Sequence, residues 1–238
     1  MSPAPTTDAS ATDATATDAT GRLSLWLRDR SEPDWSAVVA HRFTGELIAG
    51  SVADDVMRRY LIQDHRFVDG FVALLGAAIA AADRFETRIP LTRFAAMVTS
   101  DENDYFLRAF DALGVTEATR RDTPDHAATT TFQALMTEAR LTADYPCCLA
   151  VLVVAEWSYL TWAARADGRL PDRFEHAEWI TLHDNPFFRD FVGWLVSELD
   201  RVGPTLNDDA RARVEDLFRR AVAAERAFFD AAYQDNRD

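Results

Sequence analysis

Lysine is absent from this chain of 238 residues: all 25 basic side chains are arginines, set against 39 aspartates and glutamates for a net charge of −14. Without lysine there is no Schiff base to a carbonyl cofactor and no phosphate-binding lysine of a P-loop. The acidic balance argues against nucleic acid as a partner, because neutralising phosphates needs a basic face. Cysteine is scarce too. The only two, Cys147 and Cys148, are adjacent, and neighbours on a helix point too far apart for an ordinary disulfide, as expected of a reducing, cytoplasmic protein. The apolar stretch from Cys147 to Val154 is too short to span a bilayer, and Glu156 interrupts it, so no membrane helix is expected. The N-terminus has neither the basic start and apolar centre of a secretion signal nor the arginines of a mitochondrial one.

Glycine and proline number nine each and leave long stretches free of both, while β-branched runs are short. An all-helical, all-α chain follows. Residues 1–21 repeat Thr-Asp-Ala around Asp8, Asp13 and Asp18 and hold little to bury, which predicts a disordered acidic tail. Residues 22–238 read as one domain. The helical period predicts eight helices: one from Asp34 to Gly50, a long second from Ser51 to about Asp83, a third opened by Pro90 and stopped at Gly114, and a fourth begun at Thr123-Pro124. A fifth runs from Pro146 to about Arg165, a sixth from Pro171 to His183, a seventh from Pro186 to Asp200, and an eighth from Asn207 or Asp208 to Tyr233.

Five aromatic-rich segments carry most of the candidate chemistry: QDHRF at Gln63, ENDYF at Glu102, EWSYLTW at Glu156, EWITLH at Glu178 and ERAFFDAAY at Glu225. Tyr60 and Asp64 are four apart, and Glu156 and Tyr159 three apart, so each pair shares a helix face. Three helices could aim Asp64, Glu156 and Glu225 into one cavity, as bundles often do. Each has an ordinary reading as well. Asp64, beside His65 and Arg66, suits a solvated face, and Glu225, near Arg219, Arg220 and Arg226, suits a surface ion pair. Glu156 follows apolar residues and precedes Trp157, so it is expected to be buried and either paired, protonated or used. His183 alone reads as a hydrogen-bonded structural histidine.

YLIQDHRF and ERAFFDAAY, in this order and spacing, resemble the TenA family of thiamin-salvage proteins over roughly residues 35 to 234. The resemblance implies a haem-oxygenase-like multi-helix bundle, a small-molecule pyrimidine substrate, no cofactor and no metal, and a homotetramer or homodimer. AEWSYLTW is similar to the branch of the family with glutamate in place of a cysteine nucleophile. The implied catalytic residues are Glu225 and Glu156. The implied substrate-binding residues are Asp64, Tyr60, Phe67, Phe132, Tyr159, His183 and Phe228, with Asp64 on the amidine edge of an aminopyrimidine. Two positions depart from the family pattern: Phe67 replaces a tyrosine after the helix-two aspartate, and His183 replaces a tyrosine four residues beyond Trp179.

The expected reaction is hydrolysis of a C–N bond on the 5-substituent of an aminopyrimidine, an aminomethyl or formylaminomethyl product of thiamin breakdown, in thiamin salvage. The same fold also hosts metal- and haem-dependent oxygenases, and His41 stands near a haem-ligand position, but no Glu-x-x-His or His-x-x-x-His places two ligands on one helix face. A non-catalytic pyrimidine-binding or regulatory protein is a third possibility, motivated by Phe67 and His183.

Overall fold

The structure is a computed structural model that describes residues 21–234; the acidic Thr/Asp/Ala repeat of residues 1–20 lies outside them. Every regular element among the described residues is helical. The helices are α1 (Leu23–Arg30), α2 (Asp34–Val39), α3 (Arg42–Ile48), α4 (Asp54–Ala81), α5 (Phe85–Met97), α6 (Asn103–Ala112), α7 (Glu117–Asp122), α8 (Ala127–Leu141), α9 (Tyr145–Ala163), α10 (Phe174–Leu182), α11 (Pro186–Val202) and α12 (Asp208–Ala231), with a π turn at Val98–Glu102 joining α5 to α6.

Helix α9 is the axis of the bundle, packed against α4, α8, α11 and α12. Residues 147–154 have no exposed surface at all, which is what a helix apolar on every face requires. With its 3-10 extension to Ala166, α9 is long and apolar enough to cross a membrane by length and composition, but 78% of that stretch is buried inside the fold. The amphipathic helices α4, α11 and α12 turn one face to it. Asn185 and Asn207 cap α11 and α12 by accepting from the Phe188 and Ala210 amides.

Where eight helices were expected the described residues hold twelve: the third is divided into α5 and α6 by the π turn, α7 was not expected, and four further places differ. The helix expected over residues 34–50 is two, α2 and α3: the Thr44 hydroxyl donates to the carbonyls of Val39 and His41, and His41 Nδ1 accepts the Phe43 amide, so side chains replace the ladder there. Pro90 does not open its helix but lies inside α5, where the Arg88 guanidinium donates to the carbonyls of Ile79 and Ala82 and holds the preceding turn. Thr123 and Pro124 lie in the loop between α7 and α8; their carbonyls accept from Arg66 and Gln63 of α4. Helix α1 was not expected. Its first turn is satisfied from across the chain, the Ser24 amide donating to Asp200 Oδ1 at 2.8 Å, and Gly203 permits its close approach, since a Cβ there would stand 2.9 Å from Leu23 Cβ.

Candidate functional site

Four carboxylic acids reach one cavity from four elements: Asp64 from α4, Glu102 from the π turn, Glu156 from α9 and Glu225 from α12. The cavity between them and their neighbours has a volume of about 30 Å³, well below the range for small-molecule sites, so a flat ring enters only if side chains on the wall move. Phe67, Phe71, Tyr159 and Trp179 supply flat apolar wall.

None of the four acids is on a solvated face. Asp64 is 5% exposed, Glu102 9%, Glu156 8% and Glu225 2%. Among the described residues none of them has an arginine partner, because the neighbouring arginines turn outward: Arg220 pairs with Glu138 and Asp216, Arg226 with Asp34, and Arg66 with Asp125. The surface-pair reading of Glu225 and the solvated reading of Asp64 are thereby replaced by burial. Beside Asp64, Gln63 is also buried and ties α4 to the start of α8, donating to the Pro124 carbonyl and accepting from the His126 amide and the Thr129 hydroxyl.

Unpaired burial raises every carboxyl in the cluster. Desolvation pushes Glu102 up to about 8. It carries Asp64 well above the carboxylate range, with the charge of Glu102 adding to the rise and the Tyr60 hydroxyl offsetting part of it. Glu156 is raised by burial and then by the charges of Glu102, Glu225 and Asp64, and Glu225 by burial and then by Asp64. Each carboxyl therefore holds its proton more tightly than an exposed one does, which suits the cluster to both giving and taking protons. Glu225 Oε1 is buried with no hydrogen-bond partner, a costly arrangement for a carboxyl oxygen that a ligand would relieve.

Polar groups on the wall are oriented. The hydroxyls of Tyr60 and Tyr159 are hydrogen bonded at 2.8 Å. His183 Nδ1 lies 2.8 Å from the Trp179 carbonyl, which can only accept, so Nδ1 carries the proton and Nε2 is left with a lone pair. Burial pulls this imidazole down to about 4, which keeps it neutral. It packs edge-on against Trp179 with centroids 4.4 Å apart.

Of the residues expected at the site, the structure brings Asp64, Phe67, Glu156, Tyr159, His183 and Glu225 to the cavity wall. Tyr60, Phe132 and Phe228 stand behind it: Phe132 and Phe228 pack on Phe67 with centroids 4.9 and 6.1 Å away, and Tyr60 reaches the wall through Tyr159. Glu102, Trp179 and Phe71 were not assigned a place by sequence. Glu102 opens the ENDYF segment, and that aromatic-rich context was its only mark.

The π turn explains why Glu102 faces inward. Its i→i+5 bonding takes up about one more residue than an α turn, so Phe94, Val98 and Glu102, spaced by four, stay on the inner face instead of drifting round it. The two cysteines are buried away from the cavity and raised by desolvation, Cys147 to about 11 and Cys148 to about 12, so neither is an activated thiol. His41 is fully engaged, its Nε2 3.1 Å from Asp230 and its Nδ1 on the Phe43 amide. Among the described residues no three His, Cys, Asp or Glu side chains are grouped to hold a metal ion.

A model of the TENA/THI-4/PQQC family matches residues 28–235. The aminopyrimidine aminohydrolase of Halalkalibacterium halodurans is 21% identical over 212 residues, covering 88% of this chain and 94% of that protein. The aminopyrimidine aminohydrolase of Helicobacter pylori is 20% identical over 216 residues, covering 90% and 99%. Among solved structures, a TenA homologue from Pyrococcus furiosus superposes with a TM-score of 0.80 at 16% identity, covering 89% of this chain and all of that one.

Proposed function

Taking as premise that the chain belongs to the TENA/THI-4/PQQC family, we propose that it hydrolyses a C–N bond on the 5-substituent of an aminopyrimidine, a product of thiamin breakdown, in thiamin salvage. The observation that carries this reading is the meeting of four buried carboxyls, none with an arginine partner among the described residues, around one aromatic-walled cavity. Two relatives that align over most of the chain bear the name aminopyrimidine aminohydrolase, and the site offers what such a reaction needs.

Asp64 is assigned to the amidine edge of the ring. A carboxylate meets a protonated ring nitrogen and its neighbouring exocyclic amine with two parallel hydrogen bonds. Phe67 and Tyr159 supply the faces against which a flat ring packs, and His183 Nε2 accepts one further N–H or a water proton. The tyrosine replaced by His183 in the family pattern is thus answered by a different acceptor, while Phe67 contributes surface and no hydroxyl.

For the chemical step, water must lose a proton as its oxygen bonds to the substrate carbon, and the departing nitrogen must leave protonated. Glu225 is assigned the proton transfer, since its Oε1 is free of other partners and its raised basicity lets a carboxylate take a proton from water. Glu156 is assigned to positioning the departing amine or the attacking water. No thiol takes part, because Cys147 and Cys148 do not line the cavity. Ammonia or formate release from 4-amino-5-aminomethyl-2-methylpyrimidine and its formylamide, measured with the wild type and with Glu156→Gln and Glu225→Gln, tests the reading; absence of turnover in the wild type overturns it.

A further inference from the structure

The cavity wall holds four acids, one neutral histidine, His183, and no arginine, and Asp64, Glu156 and Glu225 already account for the ring edge and the two reaction roles. Glu102 is left over. It is not a bystander: it lines the same cavity, and its charge is the first ionic influence on both Asp64, assigned to the ring, and Glu156, assigned to the departing group. It has no hydrogen-bond or ion-pair partner among the described residues, and it is delivered there by a π turn, the single one among those residues, a device that frequently marks function.

Charge balance says what such a group is for. Beside a neutral ligand Glu102 stays protonated, because ionising it in a buried acid cluster is costly, whereas a ligand carrying a second positive charge beyond the ring lets it ionise against that charge and offsets the cost. The unpartnered Oε1 of Glu225 is an independent sign that the cavity awaits a donor-rich occupant. Resting on the hydrolase reading above, we propose that Glu102 is a substrate-binding residue that holds the protonated amine of the 5-substituent, making the protein selective for the cationic aminomethylpyrimidine over the neutral formylaminomethyl and hydroxymethyl forms. The raised affinity of Glu102 for protons, about 8 when the cavity has no ligand, fits a carboxyl that ionises when a cation arrives.

The test compares three pyrimidines on the purified full chain: KM and kcat for the aminomethyl and formylaminomethyl compounds, and the inhibition constant of the hydroxymethyl compound. The wild type is expected to favour the aminomethyl compound by at least about tenfold in kcat/KM, the scale of one hydrogen bond to a charged group. Glu102→Gln is expected to raise KM for that compound by about tenfold while moving the hydroxymethyl inhibition constant by less than about threefold. Glu102→Asp, which keeps the charge, retains the order of preference and serves as the deciding variant should Glu102→Gln fail to fold. A wild-type preference for the formylamide, an equal loss for all three ligands, or no loss overturns the proposal and leaves the hydrolase reading standing. A wild type that handles none of the three overturns both.

Discussion

Replacing Glu102 by glutamine should change how stability depends on pH, in a direction fixed by burial. In the unfolded chain a glutamate ionises near 4.5, and in the fold Glu102 is held to about 8. Below 4.5 both states are protonated and the residue adds no pH dependence. Between 4.5 and about 8 the native state binds the proton that the unfolded chain has released, so stability falls as pH rises. Above about 8 the full penalty is present. At about 1.4 kcal/mol per pH unit the interval corresponds to a loss of up to about 5 kcal/mol, a large fraction of a domain's total stability. Glutamine matches the shape of the protonated acid and does not ionise. It also removes the charge that raises Asp64 and Glu156. Urea unfolding at pH 4 and pH 9 measures the difference. Wild type and Glu102→Gln should agree within about 1 kcal/mol at pH 4, and the variant should be more stable by about 2–5 kcal/mol at pH 9. Two parallel stability curves would refute the burial argument for this site.

Three further outcomes follow from the same geometry. Glu156→Gln and Glu225→Gln should each lower kcat for an aminopyrimidine substrate by at least about 10²-fold, the usual scale for losing an acid or base; steady-state turnover measures it, and unchanged rates would remove both from the chemistry. Cys147→Ala and Cys148→Ala should leave kcat within about twofold, since both thiols are buried, raised in pKa and off the cavity wall; a large loss would reinstate a thiol mechanism. Gly50 sits at φ +68°, where a Cβ would approach Pro171 Cβ to 2.7 Å. Gly50→Ala should therefore cost about 1–3 kcal/mol, combining a left-handed backbone with a clash, read as a lower urea midpoint.

Much of the bundle was legible because helical faces are a local property. The fifth helix was expected from Pro146 to about Arg165 and is α9, Tyr145–Ala163, and Asn185 and Asn207 carry their caps within four residues. Glu156, alone in that apolar setting, was recognisable as unusual from its neighbours. Glu225 and Asp64 were ambiguous for the opposite reason: arginines beside them in sequence pair with acids on other helices, as Arg226 does with Asp34, 192 residues away, and adjacency along the chain says nothing about such partners.

What the order of residues alone determined, then, is that this chain is helical, that Glu156 is buried in an apolar setting, and that several acids sit among aromatics. What only the tertiary structure decided is which of those acids meet and what they meet with. Helix α1 forms against Asp200 and Gly203, far along the chain, and Glu102 enters the cavity because one widened turn resets the register between α5 and α6. The physical reason is one of range. A helix face is set by bonds spanning four residues, whereas the proton affinity of a carboxyl is set by all that surrounds it, and here four acids with no arginine among them are assembled from positions 64 to 225.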